Sequence, residues 1–189
     1  MFEDLIKQIE QQVAKKPHVV IGISGYGGSG KSTLAERICD HFSIPHSQIL
    51  GMDYMHSEAN PDNAVLFEDH DWPMILKLLR DIHDGKSIKF TSRGYWGHTK
   101  DINIPLTKVM VFEGVRLLRP EAMPYFDVSV WVDCPVELAT RRAKERDRQQ
   151  GEDEEHMKLW DTLWVPQNDE YVRQVHPEKL ASFVYKEYE

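Results

Sequence analysis

Residues 19–42 constrain the fold more than any other stretch of the chain. A β-branched apolar run (Val19, Val20, Ile21, Ile23) passes into Gly25-Tyr26-Gly27-Gly28-Ser29-Gly30-Lys31-Ser32, and a helix patterned by Ala, Leu and Ile follows. This is the phosphate-binding pattern G-x-x-x-x-G-K-S/T in the strand, loop and helix context that gives it meaning. Glycines let successive backbone N–H groups turn inward around an anion, and the helix that starts there aims its positive dipole end at it. Gly25, Gly27, Gly28, Ser29, Gly30 and Thr33 are therefore expected to cradle a nucleotide's phosphates. Lys31 is expected to reach the β- and γ-phosphates, and the Ser32 hydroxyl to hold Mg²⁺. The alternative is a glycine-rich turn with an incidental lysine, and such a match arises by chance in roughly one chain of this length in a hundred.

With 189 residues, 41% of them hydrophobic, residues 1–189 suit one domain with a sizeable core and are short for two. The net charge of −8 argues against a nucleic-acid binder, so any bound anion must be met by locally arranged cations. Cys39 and Cys134 form no C-x-x-C pair, and no long apolar span or leader pattern is present. The expectation is reduced thiols, a cytoplasmic location and no membrane partner, with a homo-oligomer left open. The nine histidines show no metal-ligand spacing, and His70, between Asp69 and Asp71, reads as a solvated loop residue.

Phe2, Leu5, Ile6, Ile9 and Val13 recur at helical spacing and predict an amphipathic N-terminal helix packed on the core. Residues 48–52 read as a short buried strand ending at Asp53. Residues 54–71 are polar and aperiodic, and a loop of that length is usually functional. A helix carrying Met74, Ile75, Leu78, Leu79 and Ile82 stops at Gly85. Residues 90–103, with Arg93, Tyr95, Trp96 and His98, show no core period. Residues 109–112 form an apolar strand ending in Glu113, and residues 128–132 another, followed by a helix over 136–150 with Cys134 as its cap. Trp160, Trp164 and Tyr171 lie on further helix and read as packing aromatics, and residues 182–185 supply a last strand. Five buried strands alternating with helices imply an α/β fold, a parallel sheet with helices on both faces, and a ligand site beyond the strands' carboxyl ends. Gly25, Asp53, Glu113 and Asp133 all fall there.

Phosphoryl transfer to a hydroxyl needs a phosphate cradle, Mg²⁺, a carboxylate near the attacking oxygen and cations that neutralise the moving group. Asp53 is the candidate base and a metal contact, and Glu113 a carboxylate for Mg²⁺-bound water. Arg142 and Arg146 lie four apart on one helix stripe, where like charges repel unless an anion joins them or the face is simply solvated. Tyr95 and Trp96 could stack on a flat acceptor. Together with Asp53, Tyr54, Asp71 and Arg93 they make the candidate acceptor contacts.

These residues resemble the uridine kinase and phosphoribulokinase-like group of P-loop kinases. The likeness runs through GISGYGGSGKST, the strand-end aspartate of GMDYMH, DHDWPMILKLLRDIHDGKSI, VMVFEGV, DCPVELATRRAKERD and the tail WDTLWVPQNDEYVRQVHPEKLASFVY. It implies a P-loop NTPase of NMP-kinase-like fold: a parallel five-stranded sheet flanked by helices, with an arginine-bearing lid at about residues 141–156. It also implies ATP and Mg²⁺ as cofactors and γ-phosphoryl transfer to a primary hydroxyl of a small molecule, most often a nucleoside. Lys31 and Ser32 then match the P-loop pair, Asp53 the base, Glu113 the Mg²⁺-water carboxylate, and Arg142 and Arg146 the lid. Either Asp69 or Asp71 matches the acid that holds the ribose hydroxyls. The family's pyrimidine-reading pattern is not recognisable in KFTSRGYWGHTKD, so nicotinamide riboside and pantothenate stand as alternative acceptors. A nucleoside monophosphate is disfavoured by the lack of arginine in residues 54–71. A nucleotide-gated regulatory protein with slow ATP hydrolysis is the rival of another class.

Overall fold

The computed structural model describes residues 1–57, 66–94 and 97–186. Helix α1 (Phe2–Val13) leads to β1 (Val19–Gly25), which enters the glycine-rich loop and α2 (Lys31–His41). Strand β2 (Leu50–Gly51) runs into a 3-10 turn, Met52–Tyr54, and α3 (Trp72–His83) follows residues 58–65. Then come β3 (Ile88–Arg93), β4 (Thr99–Ile104), β5 (Val109–Glu113), β6 (Val128–Asp133) and α4 (Val136–Gln149). Helix α5 (Glu154–Leu159) continues through a π-helical turn, Trp160–Trp164, into α6 (Val165–Val175), and α7 (Pro177–Leu180) and β7 (Phe183–Lys186) follow.

Five strands form one parallel sheet in the order β2-β5-β1-β6-β7. The period of two decides what each strand covers. Val19, Ile21 and Ile23 of β1 and Val109 and Val111 of β5 face Leu5, Ile9, Leu34 and Ile38 of α1 and α2. Val20, Met110 and Phe112 face the other way, onto Ile75, Leu78, Leu79 and Ile82 of α3. Chain order reverses beside β1, with β5 on one side and β6 on the other, and a crevice opens at such a point beyond the carboxyl ends. Among the described residues no helix is long and apolar enough to cross a membrane.

Four expectations need correction. Residues 88–104 are not aperiodic. They make an antiparallel hairpin from Ile88↔Ile104 to Arg93↔Thr99, whose apolar side (Ile88, Phe90, Ile102, Ile104) covers the α3 layer. The strand before Asp53 is only two residues long, because the chain tightens into the 3-10 turn. Pro135, not Cys134, caps α4, and no side chain bonds there. His70 is 5% exposed, not solvated: a bridge pairs residues 56 and 70 and stacks their rings 4.6 Å apart.

Candidate functional site

The phosphate loop is shaped by contacts that only glycine permits. Gly28 has φ +82°, and a Cβ there would lie 2.1 Å from the Ala139 carbonyl oxygen. Ala139 and Ala143, four apart and fully buried, give α4 the small face that lets the loop settle on its backbone. At Gly27 a Cβ would lie 2.5 Å from the Trp160 ring. Gly30 has φ 97° and caps α2, where free N–H groups and the helix dipole favour an anion. The tyrosine inside the loop also anchors it, since Tyr26 Oη donates to Asp169 Oδ1 of α6 at 2.8 Å.

A cavity of about 750 Å³ opens over this loop, lined by Gly27, Gly28, Gly30, Lys31, Ser32 and Thr33. Gly25 and Ser29 lie beneath it and do not line it. A Cβ on Gly25 would meet Ser29 Oγ at 2.7 Å and the Val132 carbonyl oxygen at 2.9 Å, so these two shape the loop from below. Lys31 is 7% exposed and donates to the Tyr26 carbonyl at 3.0 Å. Burial pulls its pKa down, and the charges of Glu113 and Asp53 oppose that pull. Burial pushes the Glu113 pKa up, while Lys31 draws it back.

The sheet places the carboxylates. Glu113, the last residue of β5, pairs with Ile23 on one side and Gly51 on the other, and Ser32 Oγ donates to its Oε1 at 3.3 Å. Met52 is fully buried under Gly114, where a Cβ would lie 2.6 Å from that of Met52. This peg turns the neighbouring Asp53 out into the cavity. Asp53 is exposed, and its charge acts on Lys31 and Glu113 on one side and on His56 on the other. It stands between two halves of the site. Ser32 and Glu113 form a hard oxygen pair of the type Mg²⁺ takes, one or two protein oxygens with the rest from water and phosphate.

Arg142 and Arg146 of α4 and Gln150, the residue that ends it, line the cavity. The charge of Arg146 lowers the pKa of both Lys31 and Glu113, so the stripe faces the phosphate end. Trp160 and Trp164 line the cavity as well, whereas Tyr171 is core and donates its hydroxyl to the Leu118 carbonyl at 3.0 Å.

In the far half of the cavity the sequence marks only Asp69, and its partners Arg116, His56, Gln167 and Asn168 carry no local signal. Arg116, 5% exposed and left-handed at φ 55°, sends Nη2 to Asp69 Oδ2 and Nη1 to Gln167 Oε1 and Asn168 Oδ1, both at 3.2 Å. His70 Nδ1 lies 3.0 Å from Asp69 Oδ2. Burial lowers the His56 pKa and the neighbouring His70 adds to it, so at neutral pH His56 presents an uncharged imidazole. The proposed acceptor contacts fare unevenly. Asp53 lines the cavity, but Tyr54 lies outside it, 61% exposed, with its ring over Gly51. Asp71 is the cap of α3, accepting from Met74 N at 2.9 Å, and it is Asp69 that reaches the cavity. Arg93 does not line it, its carbonyl accepting from His56 N at 3.0 Å. Tyr95 and Trp96 lie outside the described residues.

Burial raises the pKa of Asp69, but His70 and Arg116 outweigh it and hold the carboxyl well below its usual range. A lowered acid stabilises the fold above its unfolded pKa, near 4, and that stabilisation is lost as pH falls further. Asp69→Asn leaves a buried guanidinium without its counter-charge, bonded only to neutral amides, and is expected to cost about 3–5 kcal/mol. A urea midpoint within error of the parent's at neutral pH would dismiss this pair as a structural tie.

The sequence profile of the Phosphoribulokinase / Uridine kinase family matches residues 20–182. The chain belongs to the phosphoribulokinase and uridine kinase family. It is a phosphotransferase whose acceptor group is a hydroxyl. A uridine kinase from Limosilactobacillus reuteri (strain DSM 20016) is 28% identical over 148 residues, covering 72% of this chain and 67% of that protein. A candidate fructose transport system kinase from Silicibacter sp. TM1040 superposes with TM-score 0.78 at 17% identity, over 98% of both chains. D-glycerate 3-kinase from Cryptococcus neoformans superposes with TM-score 0.60 at 10% identity, over 93% of this chain and 88% of that one. Identities this low establish the shared P-loop kinase fold and say nothing of the acceptor.

Proposed function

We propose that this family member transfers the γ-phosphoryl of ATP, with Mg²⁺, to a primary hydroxyl of a neutral, hydroxyl-rich small molecule, a nucleoside in the first place. The observation that carries the reading is the state of Arg116. Among the described residues it is the one Lys or Arg lining the cavity beyond Asp53, and it is committed to Asp69, Gln167 and Asn168. Residues 54–71 contain no Lys or Arg, and His56 is held neutral. A carboxylate or phosphate acceptor would enter this half with no uncommitted cation to meet it, a costly burial. Hydroxyls suit a wall of carboxylate, amide and imidazole groups.

The catalytic roles follow from position. Asp53 accepts or orients the acceptor's proton, and Lys31, Arg142 and Arg146 neutralise charge on the transferred group. Ser32 and Glu113 would hold the Mg²⁺, which supplies further neutralisation at the phosphates when bound. The protein acts as a single kinase domain with a lid over about residues 141–156.

The test is mass spectrometry of purified protein with Mg-ATP and a pooled panel of nucleosides, nicotinamide riboside, fructose, glycerate, pantothenate and uridine monophosphate. A gain of one phosphoryl group on a neutral compound, with none on the three anions, is expected. Phosphorylation of glycerate or pantothenate would overturn the neutral-acceptor reading, and ATP loss independent of every acceptor would favour a regulatory role.

A further inference from the structure

Asp147 is 4% exposed near the end of a largely solvated helix, α4. A buried carboxylate is costly unless its oxygens are satisfied, and both are. Oδ1 accepts from Arg146 Nε at 2.9 Å and Nη2 at 2.7 Å; Oδ2 accepts from Trp160 Nε1 at 2.7 Å and lies 3.2 Å from His156 Nε2. Consecutive helix residues do not face each other, so Arg146 must fold back to reach its neighbour. The contact fixes one edge of the guanidinium and leaves Nη1 for the cavity that Arg146 lines. A free arginine side chain samples many rotamers, and this contact removes part of that freedom before any ligand arrives.

The other end of the arrangement is the phosphate loop. Trp160, held by its N–H to Asp147, lays the far edge of its ring on Gly27, which a Cβ would bring to 2.5 Å. We propose that Asp147 is a positioning residue that sets the Arg146 guanidinium at a fixed place relative to the phosphate loop, with Trp160 as the strut between them. The inference rests on the reading of Arg146 as a contact to the transferred phosphoryl. Asp147 lines the cavity beside Arg146, but both its oxygens are taken up by Arg146, Trp160 and His156. Its effect passes through Arg146, and preorganised charge of this kind needs no rearrangement when the reaction occurs.

The test compares binding of Mg-ADP and of a non-hydrolysable Mg-ATP analogue by calorimetry in Arg146→Ala, Asp147→Asn, the double variant and Trp160→Phe. Arg146→Ala is expected to weaken the triphosphate analogue about tenfold and ADP little. Asp147→Asn should show the same selective loss, and the double variant should bind the analogue no worse than Arg146→Ala alone. Trp160→Phe removes both the N–H to Asp147 and the outer ring edge that rests on Gly27 while keeping the Asp147 carboxylate, and should show the selective loss as well. Equal weakening of ADP and the analogue in Asp147→Asn would mean a merely structural role and overturn the proposal. So would parent-like affinity in Asp147→Asn and Trp160→Phe, or losses that multiply in the double variant. If Arg146→Ala itself binds the analogue normally, the reading of Arg146 falls, and the proposal with it.

Discussion

Asp53→Asn is expected to lower turnover by about 10² to 10⁴ while leaving nucleotide affinity close to the parent value. The carboxylate stands on an exposed 3-10 turn with its neighbour Met52 pegged under Gly114, so the substitution removes charge without disturbing packing. Its field reaches Lys31 and Glu113 on the phosphate side and His56 on the acceptor side, the place a base must occupy to work on an incoming hydroxyl. The measurement is kcat under saturating acceptor beside a nucleotide titration. A rate within a few-fold of the parent's, about threefold or less, would strip Asp53 of the assignment.

The second large effect belongs to Lys31. Lys31→Met keeps most of the buried volume and removes the charge, and the rate of the chemical step is expected to fall by about 10² to 10³. Lys31 is nearly enclosed, in surroundings where a charge acts more strongly than in water. Glu113 loses the neighbour that draws its pKa down, so its carboxyl should titrate higher in the variant, and Mg²⁺ dependence should shift to higher pH with it. Single-turnover rates across pH read both effects. Unchanged rates and an unchanged Mg²⁺ profile would remove the lysine from the transfer step.

The legible parts of this molecule are those written in contiguous residues. Gly25 through Ser32 fix strand, loop and helix at once, and the apolar runs before Asp53 and Glu113 end in an acid at the edge of a buried sheet, where a charge can meet solvent or a ligand. Arg142 and Arg146 were visible from helical spacing. Beyond Asp53 and Asp69 the far half of the cavity was not, because its contacts join residues 47 and 52 positions apart: Arg116 reaches Asp69 and Asn168 only after β5, α3 and α6 have assembled. His70 looked solvated between two acids, yet pairing with residue 56 buries it. Asp71 looked like a ligand-binding acid and is consumed as a helix cap. The one local signal passed over was the alternation of Ile88 with Phe90 and of Ile102 with Ile104, masked by polar and small residues between.

One helical run, α5 through α6, touches the phosphate loop through Trp160 and through Asp169, which accepts from Tyr26, and the Arg116 cluster in the far half of the cavity through Asn168. A ligand that displaces this run at one end does work on the other. Thermodynamic linkage then requires that whatever factor the nucleotide applies to acceptor affinity, the acceptor applies to nucleotide affinity. Exchange of this segment between relatives would therefore transplant acceptor preference and nucleotide affinity together, and not as separable traits.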